Sequence, residues 1–287
     1  KALLLQVGLL CGVLAAARPQ WGTRLETVTR RGIDVAIVLD TSLSMAATDL
    51  APSRLESARH AIASLLERLT GDRVTLVTFA AQGSTACPLT VDHAAIRLFL
   101  EVATPELEAG QGTGLAAGLR AGLAALRPES EQAAQRSRVL VLFSDGEDHE
   151  GALEEVRDEL RHAHLPVYAV GCGSTRGAPI PVEDPAGGQS YKKDREGKLV
   201  TTRLDESALE QLALDTGGHY YRATAGELEI EEIAKTLAQL DAGEGSSRMR
   251  AQYEERYQFP LALGFAALMA EMLIGDRIRG PRLGGSA

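Results

Sequence analysis

Three short loops of this sequence carry oxygen donors at spacings suited to chemistry. Asp40, Ser42 and Ser44 alternate in Asp40-Thr41-Ser42-Leu43-Ser44, directly after the apolar run Ile33–Leu39. Ser144-Asp145-Gly146-Glu147-Asp148 follows a second such run, Arg138–Phe143. Between them, Gly110-Gln111-Gly112-Thr113-Gly114 stands just before a helical pattern. Meeting at one edge of a sheet, these loops would present two carboxylates, two serine hydroxyls and one threonine hydroxyl. An all-oxygen set suits a hard divalent cation, Mg²⁺ or Mn²⁺, that keeps several waters and needs few protein oxygens. No Cys or His accompanies the set, which disfavours Zn²⁺. The cation would retain open positions that an acidic group from a partner could fill. A plainer alternative is that Asp40, Ser42 and Ser44 merely cap a turn. Thr113 and Asp145, in matching contexts, weigh against it. Glu147 and Asp148 read as charges favoured at a helix N-terminus rather than as ligands.

The elements that must position these loops alternate in type. Ile33–Leu39 is rich in β-branched residues and has the length of a fully buried strand. Arg54–Leu69 places Leu55, Ala58, Ile62, Leu65, Leu66 and Leu69 at helical spacing, with Pro52 just ahead. Val74–Phe79 reads as a strand with Ser84–Leu89 as its hairpin partner. Helices follow at Ala94–Val102 and Leu115–Leu126. Arg138–Phe143 is a strand, Leu153–Ala163 a helix, Val167–Gly171 a strand and Glu206–Asp215 a helix. His219–Arg222 and Leu228–Leu240 give a last strand and helix. Strands alternating with helices of this size predict an α/β, doubly wound, mostly parallel sheet flanked by helices. In such a sheet, ligands sit at the carboxyl ends of the strands. Gly173–Arg203 breaks the rhythm with Gly, Pro and charged residues, and is expected to form an exposed flap with little core.

Composition narrows the function classes. The chain has 287 residues, with 30 Lys+Arg against 39 Asp+Glu and a net charge of −9. It has no basic stripe of the kind that neutralises phosphates, so no nucleic-acid partner is expected. Cys11, Cys87 and Cys172 lie too far apart in sequence for metal-ligand spacing or a disulfide framework. Both ends are apolar. Ala2–Ala17 lacks charge and is followed by Arg18, Pro19 and Trp21, a rim suited to a membrane interface. It falls a little short of the ~20 residues that span a bilayer. The chain opens on Lys1 rather than Met, as a fragment or processed product would, and a secretory signal peptide is the competing reading. Phe259–Ile274 is apolar apart from Glu271. The expected organisation is a transmembrane segment over 1–20, the α/β domain over 28–242 with its insertion at 173–203, a second transmembrane segment over 256–276, and a tail over 277–287. Membrane lipid is thus an expected partner.

At Asp40, Ser42, Ser44, Thr113 and Asp145 the sequence resembles the von Willebrand factor type A domain and its metal-ion-dependent adhesion site. The resemblance covers about Gly32–Leu240. It implies that the two Ser and the Thr or one Asp contact the cation, that other contacts pass through water, and that a partner's carboxylate often supplies the last oxygen. A finer resemblance is to bacterial membrane-anchored von Willebrand A proteins of the Bat aerotolerance type (BatA and BatB). It rests on Ala17-Arg18-Pro19-Gln20, the Gly177–Pro181 run Gly-Ala-Pro-Ile-Pro, and Thr216-Gly217-Gly218-His219-Tyr220. That likeness implies residence in the bacterial inner membrane, with the globular domain extracytoplasmic. It also implies related von Willebrand A proteins and a MoxR-type AAA+ ATPase as partners.

The function expected is therefore a membrane-anchored, non-enzymatic module that binds a protein partner through a divalent cation. Two alternatives stand beside it. One is a metal-dependent hydrolase or phosphatase using Asp40 and Asp145, although Ser42 occupies the place of the second Asp that an aspartyl phosphatase would carry. The other is a purely structural metal site. Neither a Gly-x-Ser-x-Gly elbow nor a Walker A loop occurs, and no Gly-x-Gly-x-x-Gly follows the first strand.

Overall fold

The computed structural model describes residues 2–17, 20–26, 32–105, 114–128, 130–131, 136–148, 151–183, 189–224, 228–245, 250–255 and 257–273. In chain order the elements are α1 (Ala2–Ala16), β1 (Gln20–Glu26), β2 (Asp34–Asp40), α2 (Arg54–Arg68), β3 (Arg73–Phe79), β4 (Gly83–Thr90) and α3 (His93–Val102). Next come α4 (Leu115–Ala125), β5 (Arg138–Ser144), α5 (Leu153–His162) and β6 (Val167–Gly171). Short strands β7 (Ala178–Pro179), β8 (Pro181–Glu183), β9 (Gln189–Tyr191) and β10 (Thr201–Thr202) belong to the insertion. The chain continues through α6 (Glu206–Thr216), β11 (Tyr220–Arg222), α7 (Leu228–Gly245), β12 (Arg250–Glu255) and α8 (Gln258–Leu273). Two units emerge, Arg30–Ser246 and the joined ends Lys1–Thr29 with Ser247–Ala287.

Arg30–Ser246 is the α/β unit. Its sheet has the order β11-β6-β5-β2-β3-β4, parallel throughout except for the antiparallel edge strand β4. Every residue of β2 is buried, as expected of a central strand covered on both faces. The two-residue side-chain period divides it. Val35, Ile37 and Leu39 pack with α2, α3 and α7, while Ala36 and Val38 pack with α4, α5 and α6. Pro88 is accommodated because β4 is an edge. Ser53 caps α2 by accepting a hydrogen bond from the Glu56 amide (3.1 Å), and Asp205 caps α6 through the Ala208 amide (3.1 Å). These caps set where the helices start relative to the loops at the strand ends.

The insertion departs from the expectation of a flap with little core. Its exposed portion runs from Tyr191 to Leu199, but Ala178, Ile180, Thr202 and Leu204 are buried. Lys192 and Val200 flank Ile180 through backbone hydrogen bonds, and β7 pairs with β10. Lys193 and Leu199 form an isolated bridge toward the tip. Apolar residues spaced through a Gly/Pro-rich segment gave this packed base little periodicity to read.

The unit formed by the two ends pairs β1 antiparallel with β12 and packs α1 beside α8. Both strands lie outside the expected organisation of these segments. Cys11, Ala15 and Gly264 are buried, and large apolar side chains such as Leu9, Leu10, Phe265, Met272 and Leu273 are exposed. The helices have 15 and 16 residues. At 1.5 Å per residue they reach about 22–24 Å against a ~30 Å hydrocarbon core. Among the described residues no helix is long and apolar enough to cross a membrane. The chain is already in strand at Gln20 and still in strand at Glu255, and that limits both helices. The tail expected over 277–287 lies outside the described residues.

Candidate metal centre

Parallel neighbours β2 and β5 end side by side, with Leu39 opposite Phe143. The register therefore delivers Asp40 next to Ser144, and the Ser144 hydroxyl donates to Asp40 Oδ2 at 2.6 Å. Asp40 Oδ1 accepts from the Ser42 amide at 2.9 Å, which folds the loop back over the strand end. The Ser42 and Ser44 hydroxyls then lie 2.9 Å apart. Thr41 turns away and is held by the Phe79 carbonyl. Asp145 follows β5 directly, with Ser44 near enough to favour its charged form. Asp40, Ser42, Ser44 and Asp145 thus converge at the carboxyl edge of the sheet. Thr113, with Gly110, Gln111 and Gly112, lies outside the described residues. Gly114 is held by the Ala80 carbonyl just past the end of β3 (2.6 Å) and begins α4.

The electrostatics of the cluster are uneven. Both carboxylates have 0% exposure. Burial, reinforced by the charge of Asp145, pushes Asp40 up to about 7. Burial also raises Asp145, against the opposing effects of Ser44 and the Arg54 charge. Asp145 Oδ2 accepts from Arg54 Nη1 at 2.9 Å and from the Thr202 hydroxyl at 3.2 Å, while Oδ1 accepts from the Glu147 amide at 3.3 Å. Among the described residues Asp40 has no ion-pair partner, only neutral donors. Two buried carboxylates and two hydroxyls, short of positive charge, form a donor set that fits a hard divalent cation. No group of three or more His, Cys, Asp or Glu side chains among the described residues could hold a metal ion.

Residues 35–147 match the von Willebrand factor type A domain. The crystal structure of the conserved hypothetical protein BatB from Bacteroides thetaiotaomicron is 33% identical with a TM-score of 0.68, covering 74% of this chain and 100% of that one. The chain belongs to the von Willebrand factor type A family, in its bacterial Bat branch. A second von Willebrand A relative, an aerotolerance-related membrane protein from Bacteroides fragilis, is 32% identical with a TM-score of 0.65, again over 74% and 100% of the two chains. A UPF0353 protein of Nocardia farcinica is 28% identical over 95% of this chain and 79% of its own length. Proximal thread matrix protein 1 of the mussel byssus, described with a zinc-occupied metal-ion-dependent adhesion motif, shares the fold at 18% identity and a TM-score of 0.50, over 81% of this chain and 50% of its own.

In this von Willebrand A domain, sequence reasoning missed Arg54. Among the described residues its side chain is the largest that is fully buried. Nε and Nη2 grip Asp49 at 2.8 Å each, while Nη1 reaches both Asp145 and Thr202. One signal was available: a cation in the first turn of a helix opposes the helix dipole and needs another reason to be there. Ser144 and Thr202 were missed with it, since each acts through a partner far away in sequence, and so was Asp49, five residues before Arg54.

Proposed function

We propose that this chain is a non-catalytic adhesion module that captures an acidic group of a protein partner through Mg²⁺ or Mn²⁺ held by Asp40, Ser42, Ser44 and Asp145, with Thr113 as a further oxygen donor. The observation that carries this reading is the pair of fully buried carboxylates at the carboxyl edge of the sheet, with Asp40 lacking a positive partner among the described residues. The bound cation would supply the positive field that neutralises both carboxylates and attracts the partner's acid. Ser42 and Ser44 would add neutral oxygens, so no surplus negative charge would remain at the site to repel the partner's acid. Ser42 stands where an aspartyl phosphatase would carry its second Asp, which argues against the phosphatase alternative. A structural metal alone would leave partner capture indifferent to EDTA, and a pull-down titrated with Mg²⁺ and EDTA tests that point. Related von Willebrand A proteins and a MoxR-type AAA+ ATPase are the partners to try first.

Attachment to the bacterial inner membrane is part of the same proposal. It is supported by the apolar side chains that α1 and α8 leave exposed, Leu273 at 82% and Leu9 at 75% among them. The description of the Bacteroides fragilis relative as a membrane protein also supports it. Two short helices side by side can sit in lipid with local thinning of the bilayer. The α/β unit is proposed to lie outside the cytoplasm. External protease applied to spheroplasts should then cut it, and full protection would reverse that assignment.

A further inference from the structure

The insertion and the candidate cation site share side chains. Thr202, at the base of the insertion, is 1% exposed and donates its hydroxyl hydrogen bond to the same Asp145 oxygen that Arg54 engages. Arg54 also bonds Thr202 directly, Nη1 to Oγ1 at 3.0 Å and Nη2 to the carbonyl at 3.4 Å. At the opposite root, the Ser174 amide donates to Asp49 Oδ2 at 2.7 Å, on the carboxylate that holds the other edge of the guanidinium. Three backbone amides complete the seam. Arg203 donates to Glu147 Oε1 at 2.9 Å, Leu204 to the Ser174 carbonyl at 3.1 Å, and Asp205 to the Asp145 carbonyl at 2.8 Å. No slack is left for a larger backbone. A Cβ at Gly146 would stand 2.7 Å from the Asp205 carbonyl oxygen, and one at Gly173 would stand 2.6 Å from Arg54 Nε. Both glycines have positive φ, +77° and +132°.

We propose that Arg54 and Thr202 are positioning residues that couple the cation site to the insertion, so that occupancy of the site tightens the flap root and the flap root in turn tightens cation binding. The proposal rests on the cation reading above. Its geometry is that of an outer shell. Arg54 and Thr202 both occupy Oδ2 of Asp145 and so fix how the carboxylate presents Oδ1. Groups that orient a metal-ligating carboxylate in this way typically change metal affinity 10–100-fold when removed. Reciprocity follows from linkage. If the Thr202 contact strengthens cation binding, the cation must strengthen that contact by the same factor. The exposed stretch Tyr191–Leu199, carried on this root, then becomes the part of the surface that reports site occupancy.

The test is amide hydrogen exchange with and without Mg²⁺ on the full chain, beside calorimetric Mg²⁺ binding, for wild type and Thr202→Val. Valine keeps the volume of threonine and removes the hydroxyl. In wild type, Mg²⁺ should slow exchange at Ser174, Arg203, Leu204 and Asp205 by roughly fivefold or more. Thr202→Val should bind Mg²⁺ about tenfold more weakly and lose most of that slowing. Mg²⁺ binding with unchanged exchange at these four amides overturns the coupling and leaves the cation site standing. Wild-type affinity in Thr202→Val also overturns it. Absence of any Mg²⁺ binding by the wild type sinks the cation reading and the coupling together.

Discussion

Arg54 and Asp145 form an ion pair 2.9 Å long in which neither side chain is exposed to solvent. They lie 91 residues apart, and the pair joins the start of α2 to the loop after β5 directly beneath the candidate cation site. Its guanidinium also holds Asp49, so one cation serves two carboxylates while Asp40 is left with neutral donors.

Replacing Arg54 by Met should therefore be costly. It strands Asp145 and Asp49 without their partner, and breaking a buried pair from one side typically costs about 3–5 kcal/mol. Urea unfolding of Arg54→Met measures the loss. A change below about 1 kcal/mol would mean that water reaches these carboxylates in the folded chain.

Asp40 should leave a pH signature in the metal-free protein. Burial raises its folded pKa to about 7 from 3.8, so folding takes up a proton between those values. The stabilisation is complete below the unfolded value and is lost as pH rises through the folded one. Melting temperature should thus fall from about pH 5 to about pH 8 more steeply in wild type than in Asp40→Asn, and Mg²⁺ should flatten the wild-type slope. Parallel slopes in the two proteins would place Asp40 in a wetter setting.

The insertion should divide into a dispensable tip and an essential base. Replacing Asp194–Lys198 with a two-residue turn touches only exposed residues and should change stability by no more than about 0.5 kcal/mol. Ile180→Ala, at 5% exposure, should cost about 2–5 kcal/mol. Similar losses from both changes would mean that the tip is packed after all.

Thr113→Ala should separate resting metal binding from partner capture. It removes one neutral oxygen while both carboxylates remain, so Mg²⁺ binding should survive and partner capture should drop. A pull-down beside metal titration reads both. Loss of Mg²⁺ binding itself would put Thr113 among the essential resting ligands.

The sheet was legible because burial on two faces writes itself into the sequence. Val35–Leu39 and Val139–Phe143 are unbroken apolar runs, and both lie in central strands. Convergence of Asp40 and Asp145 followed from placing each loop at a strand's carboxyl end. The Arg54 hub was not legible in this way. Two of its partners lie 91 and 148 residues away, and such pairings depend on tertiary packing that no local pattern encodes. The pairing of β1 with β12 was hidden for the same reason, since the two strands are drawn from opposite ends of the chain. The apolar runs Ala2–Ala17 and Phe259–Ile274 did mark the flanking helices, α1 at Ala2–Ala16 and α8 at Gln258–Leu273.

The central claim is that Asp40 and Asp145 hold a divalent cation on which partner capture depends. Calorimetric titration of Mg²⁺ into the EDTA-stripped chain and into Asp145→Ala tests it most directly, with thermal melts confirming that both are folded. The account predicts saturable binding near one ion per wild-type chain and no measurable binding heat for Asp145→Ala, because that substitution removes one of only two carboxylates in the set. Equal Mg²⁺ affinity in the two proteins, or no binding by a folded wild type, would contradict it.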